Sequence, residues 1–150
     1  MTSVAIDLRW QNGMRFELVD PRSPFAERTW KRLEAVSKPV YFLTWGWIEN
    51  WLDCLPADQL PQLAIVTENG LPISAFFVMR RRLLRYNVLP SRGLFINTVG
   101  DARFDELCIE HNAMVGRDLT VEDLIDLLPP NWDELFLPAM RADALGGLAD

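Results

Sequence analysis

Residues 62–83, QLAIVTENGLPISAFFVMRRRL, constrain the fold of this chain more than any other stretch. Leu63, Ile65 and Thr67 alternate with Ala64, Val66 and Glu68, and Asn69-Gly70 follows at once. An Asn-Gly pair between apolar runs predicts a β-hairpin, because both residues tolerate the positive φ of a type I′ turn. The second arm, residues 72–78, is almost wholly apolar before it reaches Met79-Arg80-Arg81-Arg82. A strand that apolar is buried on both faces, which places it inside a sheet with helices packed on it. The expected core is therefore a mixed α/β layer centred on this hairpin.

A chain of 150 residues is long enough for one domain with a substantial core. Hydrophobic residues make up 49% and charged residues 24%, a globular balance. The net charge of -6 argues against a nucleic-acid partner. Two cysteines, Cys54 and Cys108, make no disulfide framework and read as buried reduced thiols among large apolar neighbours. No run approaches the ~18 apolar residues of a membrane span. The first ten residues, MTSVAIDLRW, do not read as a signal peptide, so a cytoplasmic protein is expected.

In chain order, Val4, Ile6 and Leu8 alternate, Asn12-Gly13 signals a turn, and Met14, Phe16 and Leu18 alternate after it, as in another hairpin. Ser23-Pro24 predicts a helix start, with Ser23 as N-cap and Ala26, Trp30, Leu33 and Val36 on its inner face. Residues 39–55 hold three of the six tryptophans. Thr44 is the predicted N-cap there, and Trp47, Ile48, Trp51, Leu52 and Leu55 form an apolar stripe. Trp45 falls off that stripe, free to line a groove or cap an end.

Arg80, Arg81, Arg82 and Arg85 read either as a solvated strand end that discourages edge pairing or as an anion site. A CoA diphosphate or a sugar nucleotide would suit such a site better than a polynucleotide. Pro90-Ser91-Arg92-Gly93 reads as a loop, with Leu94-Phe95-Ile96 and Val99 as a short strand and Gly100-Asp101 after it. DARFDELCIEHNAMV is ambiguous between helix and strand. Thr120 caps a short helix over residues 121–128, Pro129-Pro130 ends it, and residues 132–137 read as a strand. Residues 141–150 read as the start of an incomplete helix.

This order resembles the front portion of the CelD/BioF2-like acetyltransferases, relatives of the FemAB transferases in the GNAT superfamily. The motifs that carry the resemblance are TWGWIENWLDCL, LAIVTENGLPISAFFVMRRR, DELCIEHNAMV after a Gly-Asp loop, and NWDELFLPAM after a proline-ended helix, spanning residues 40–140. The resemblance implies an α/β (α+β) fold, a GNAT-like, mixed, largely antiparallel sheet with helices on its faces. It also implies transfer from acetyl-CoA or another acyl-CoA to a small-molecule amine, hydroxyl or amino-sugar acceptor, in polysaccharide or cell-envelope assembly. Family members have two GNAT-like halves, and the later half carries the CoA-binding apparatus. Residues 1–150 are accordingly expected to be the N-terminal half, completed by a missing C-terminal half or by dimerisation.

The family's phosphate loop, Arg/Gln-x-x-Gly-x-Gly/Ala opening a helix, has no counterpart here, since Arg92-Gly93 lacks a second glycine at the needed spacing. Acyl transfer needs a base for the acceptor's proton and donors for the oxyanion. Glu110, His111 and Asn112 supply these types in one triplet. On a strand Glu110 as base and Asn112 as orienter would share a face, with His111 opposite. The competing reading is a polar cluster tied to backbone. Trp45, Arg92, Asp101 and Asp105 complete the substrate-binding candidates. A non-catalytic GNAT-like binding or assembly module is the alternative function.

Overall fold

The computed structural model describes residues 9–11, 13–105 and 112–139. Their strands are β1 (Arg9–Gln11), β2 (Met14–Val19), β3 (Gln62–Glu68), β4 (Leu71–Arg85), β5 (Leu89–Ile96), β6 (Val115–Gly116) and β7 (Glu134–Phe136). The helices are α1 (Pro24–Ser37), α2 (Trp45–Cys54), α3 (Ala102–Asp105) and α4 (Val121–Leu127). The strands form one mixed sheet in the order β1-β2-β3-β4-β5-β7, with β6 on β4. Strands β1 to β5 run as an antiparallel meander, and β7 lies parallel to β5 after the chain has crossed over through α4.

The hairpin forms as the Asn-Gly pair requires. Asn69 at φ 52° and Gly70 at φ 78° make the turn between β3 and β4. Strand alternation then sends two residue sets to opposite faces. Leu63, Ile65, Ala75 and Phe77 face α1 and α2, where Ala26, Trp30, Leu33, Leu43, Ile48, Trp51, Leu52 and Leu55 close a core. Ala64, Val66, Phe76 and Val78 face Phe16, Leu94 and Ile96 together with Leu124, Leu127 and Leu128 of the α4 region. Phe77 is the hub of the first core, with the Trp30 ring at 5.1 Å and the Trp51 ring at 5.3 Å. Helices therefore cover both faces of the sheet.

Strand β4 is longer than its apolar run suggests. It carries the arginines within the strand, because β5 pairs with it from Val78↔Ile96 to Arg85↔Leu89. Residues 90–93, expected as a loop, lie in β5 for the same reason. The turn between these strands uses Tyr86 at φ 53° and Asn87 at φ 59°, a pair that carries no glycine signal.

Helix α1 starts as predicted, with the Ser23 hydroxyl accepting from the Ala26 N–H at 3.1 Å. Its face is shifted, however: Thr29 is buried and Val36 is exposed, because the last turn runs past the edge of the core. Thr120 caps α4 by accepting from the Asp123 N–H at 3.1 Å. The α2 cap comes from elsewhere. Thr44 donates its hydroxyl back to Tyr41 O, and Glu34 of α1 accepts the Trp45 N–H at 2.8 Å. Cys54, expected to be buried, is exposed at the end of α2. Cys108 and the residues expected to start a final helix, 141–150, lie outside the described residues.

Candidate functional site

The polar residues singled out in the sequence gather, in part, where β5 leaves β4. Past Ile96 the chain turns away, and β6 takes over the same edge of β4 at Ser74 and Ala75. Phe77 lies in the gap, with both of its backbone groups buried and in need of partners. Asn97, in the left-handed region at φ 55°, supplies both: its N–H donates to Phe77 O at 2.9 Å, and its side-chain Oδ1 accepts from Phe77 N at 2.7 Å. Its Nδ2 then donates to Asn112 Oδ1 at 2.7 Å and to Ala113 O at 2.8 Å. Asn112 closes the loop by donating Nδ2 to Ile96 O at 2.9 Å. Two buried asparagines thus splice β5 to the start of β6.

Asn112 is 2% exposed, so its amide is engaged within the protein. Its expected companions Glu110 and His111 lie outside the described residues. Asp101 and Asp105 belong to the next turn of the same segment. Asp105 accepts the Val99 N–H at 2.8 Å and the Asp101 N–H at 3.0 Å, one on each carboxylate oxygen. The Arg103 guanidinium forks onto Asp101 at 3.0 and 2.7 Å and holds its carboxyl down to about 2. Arg81, from β4, ties the turn down by donating to Val99 O and to Gln59, with Asp101 4.0 Å away. A carboxylate held as Asp101 is anchors a loop; a general base works with a pKa near the operating pH.

Trp45 and Arg92 stand apart from this cluster. Trp45 is 6% exposed and tilts against Trp30 in the α1–α2 core, with its outer edge on a groove of about 520 Å³ that Lys31, Glu34 and Lys38 also line. Its indole N–H has no hydrogen-bond partner among the described residues. Arg92, in β5, forks onto Asp133 at 3.0 and 2.7 Å, which holds that carboxyl down to about 2. Arg92 also lines a groove of about 380 Å³ between the outer half of β4 and the approach to β7. Sequence reasoning missed Asn97 altogether. A lone asparagine after an apolar strand is the only signal it leaves, and its meaning depends on Phe77, 20 residues earlier.

The glycines of this region serve packing. Gly100, at φ 71°, lies under the Phe95 ring, where a Cβ would sit 2.8 Å from ring carbons. Gly116, at φ 97°, passes so close to Ile73 that a Cβ would clash with its carbonyl oxygen. Among the described residues no group of three or more His, Cys, Asp or Glu side chains is placed to hold a metal ion. No described helix is long and apolar enough to cross a membrane. Comparisons with protein-family models, curated proteins and solved structures gave no match.

Proposed function

We propose that this chain is the acceptor-side half of an acyltransferase that moves an acyl group from acyl-CoA to an amine or amino-sugar acceptor. The reading is supported by the mixed, largely antiparallel sheet with helices on both faces, arranged around the hairpin that carries the family resemblance. One observation limits the chain's share of the chemistry. The glycines and polar side chains that follow β4 are committed internally, to Phe95, Ile73, Phe77 and the backbone around Val99. A backbone cradle for pyrophosphate needs free N–H groups at a helix start, and the described residues of this segment do not form one.

In this reading Glu110 takes the proton of the acceptor amine as its nitrogen attacks the thioester carbonyl. The carbon–sulfur bond then breaks, and the thiolate leaves with a proton from solvent. The Asn97–Asn112 splice fixes the backbone two residues beyond that carboxylate. Calorimetric titration with simple amines and amino-sugars tests the assignment. Saturable binding to the natural chain that is lost in Glu110→Gln is expected. No binding at millimolar concentrations of any of them would overturn it.

A second reading, a non-catalytic binding module, is favoured by the engagement of Asn112, Asp101 and Asp105 within the chain. Ligand binding that Glu110→Gln leaves unchanged would select it.

A further inference from the structure

The arginines of β4 are not equivalent. Arg81 faces the α1–α2 side and is spent on Val99 O and Gln59. Arg85 forks onto Glu134. Arg80 and Arg82 share the opposite face, pairing across the sheet with Leu94 and Arg92. Among the described residues no hydrogen bond or ion pair engages either of their guanidinium groups. They line the groove of about 380 Å³ together with Arg92, Gly93, Asn131 and Trp132.

The composition of this groove runs against that of the chain, whose net charge is -6. Two guanidinium groups two residues apart on a strand start only about 7 Å from each other, so their flexible side chains can converge on one diphosphate. Arg92 is already neutralised by Asp133 and acts as a fixed wall. Trp132 is half-buried, packed on one side against the α4 core, and lines the groove. An indole held in that way offers a stacking surface to a flat heterocycle. Asn131, at φ 72°, brings an amide that can both donate to and accept from a base edge.

We propose that the groove formed by Arg80, Arg82 and Trp132 binds a nucleoside diphosphate, with the phosphates on the arginines and the base on the indole. This chemistry is shared by the adenosine diphosphate of an acyl-CoA and by the uridine diphosphate of a nucleotide sugar. The assignment rests on the groove alone and holds whether or not the chain takes part in acyl transfer.

Calorimetry of the chain with ADP, UDP, inorganic pyrophosphate and adenosine tests it, with indole N–H shifts in a nitrogen-15 spectrum reporting on Trp132. The nucleoside diphosphates should bind, pyrophosphate more weakly, and adenosine weakest. ADP ahead of UDP assigns the groove to the adenosine source, and UDP ahead of ADP to the nucleotide sugar. Arg80→Gln and Arg82→Gln, both at exposed positions that leave the core intact, should each weaken binding about tenfold. Trp132→Leu should bring the diphosphates down to the affinity of pyrophosphate. Absence of binding at millimolar ADP and UDP would overturn the proposal, as would affinities that the arginine variants leave unchanged. Self-association of Arg80→Gln/Arg82→Gln without any nucleotide binding would assign the arginines to guarding the strand edge and would equally overturn it.

Discussion

Asn97 and Asn112 are joined amide to amide, Asn97 Nδ2 donating to Asn112 Oδ1 over 2.7 Å, at the point where β5 hands the edge of β4 to β6. Each asparagine also satisfies buried main chain, Asn97 at Phe77 and Ala113, Asn112 at Ile96. The pair does what a continuous neighbouring strand would do. It lets β4 be shared between two partners without orphaned backbone groups.

Asn112→Ala removes two buried hydrogen bonds and leaves Ile96 O unpaired. A loss of about 2–4 kcal/mol in urea unfolding is expected, because stranded buried polar groups cost more than a neutral bond gains. Asn97→Ala should cost at least as much, since alanine also fits the left-handed backbone poorly. The double variant should lose less than the sum, the mark of coupled residues. A change below about 0.5 kcal/mol for either single variant would contradict the splice.

Gly100 and Gly116 differ in what blocks a side chain. At Gly116 the obstacle is the Ile73 carbonyl, whereas at Gly100 it is the Phe95 ring. Either change to alanine should destabilise by about 1–3 kcal/mol from the backbone conformation alone, with the clash added. Phe95→Leu should restore part of the Gly100→Ala loss in a double-mutant unfolding experiment and none of the Gly116→Ala loss. Equal behaviour of the two would show that the ring is not the obstacle.

Strand β7 is held to the β4–β5 hairpin by charge. Arg92 pairs with Asp133, and Arg85 and Ser91 both donate to Glu134. These hydrogen bonds hold both carboxyls down to about 2. A carboxyl whose folded pKa lies below its unfolded value stabilises the fold above the unfolded value, and that contribution is lost as pH falls through the folded one. The stability curve should therefore fall between about pH 5 and pH 2. Asp133→Asn and Glu134→Gln should each flatten that fall. An acid limb unchanged in both variants would show that β7 is held instead by its backbone pairing with β5 and by the Phe95–Phe136 stack, whose ring centroids lie 4.3 Å apart.

The cap of α2 gives a contrast between neighbours in space and in sequence. Glu34→Ala should cost about 1 kcal/mol by removing the acceptor of the Trp45 N–H, while Thr44→Ala should be close to neutral at this cap. The reverse order in thermal unfolding would return the cap to Thr44.

What could be read from the sequence follows the range of the interaction. The Asn69-Gly70 turn, the Ser23 and Thr120 caps and the apolar faces of β3 and β4 are decided within a few residues, and all are present. The Glu34 cap, the extension of β4 through its arginines and the role of Asn97 each depend on a partner that the fold brings in from a distance. The site divides in the same way. Residue type pointed to Asn112 and Asp105, yet their hydrogen bonds are spent on holding the chain rather than on a ligand. Arg80 and Arg82 were visible as charge, and only the sheet separates them from Arg81.

In the function proposed above, this chain supplies one side of an acyl transfer and not the whole reaction. Release of free thiol from acetyl-CoA, followed in the presence of amine and amino-sugar acceptors with this chain as the only protein, measures it directly. Release at the uncatalysed rate is expected. Saturable release that disappears in Glu110→Gln would contradict it and make the chain a complete enzyme.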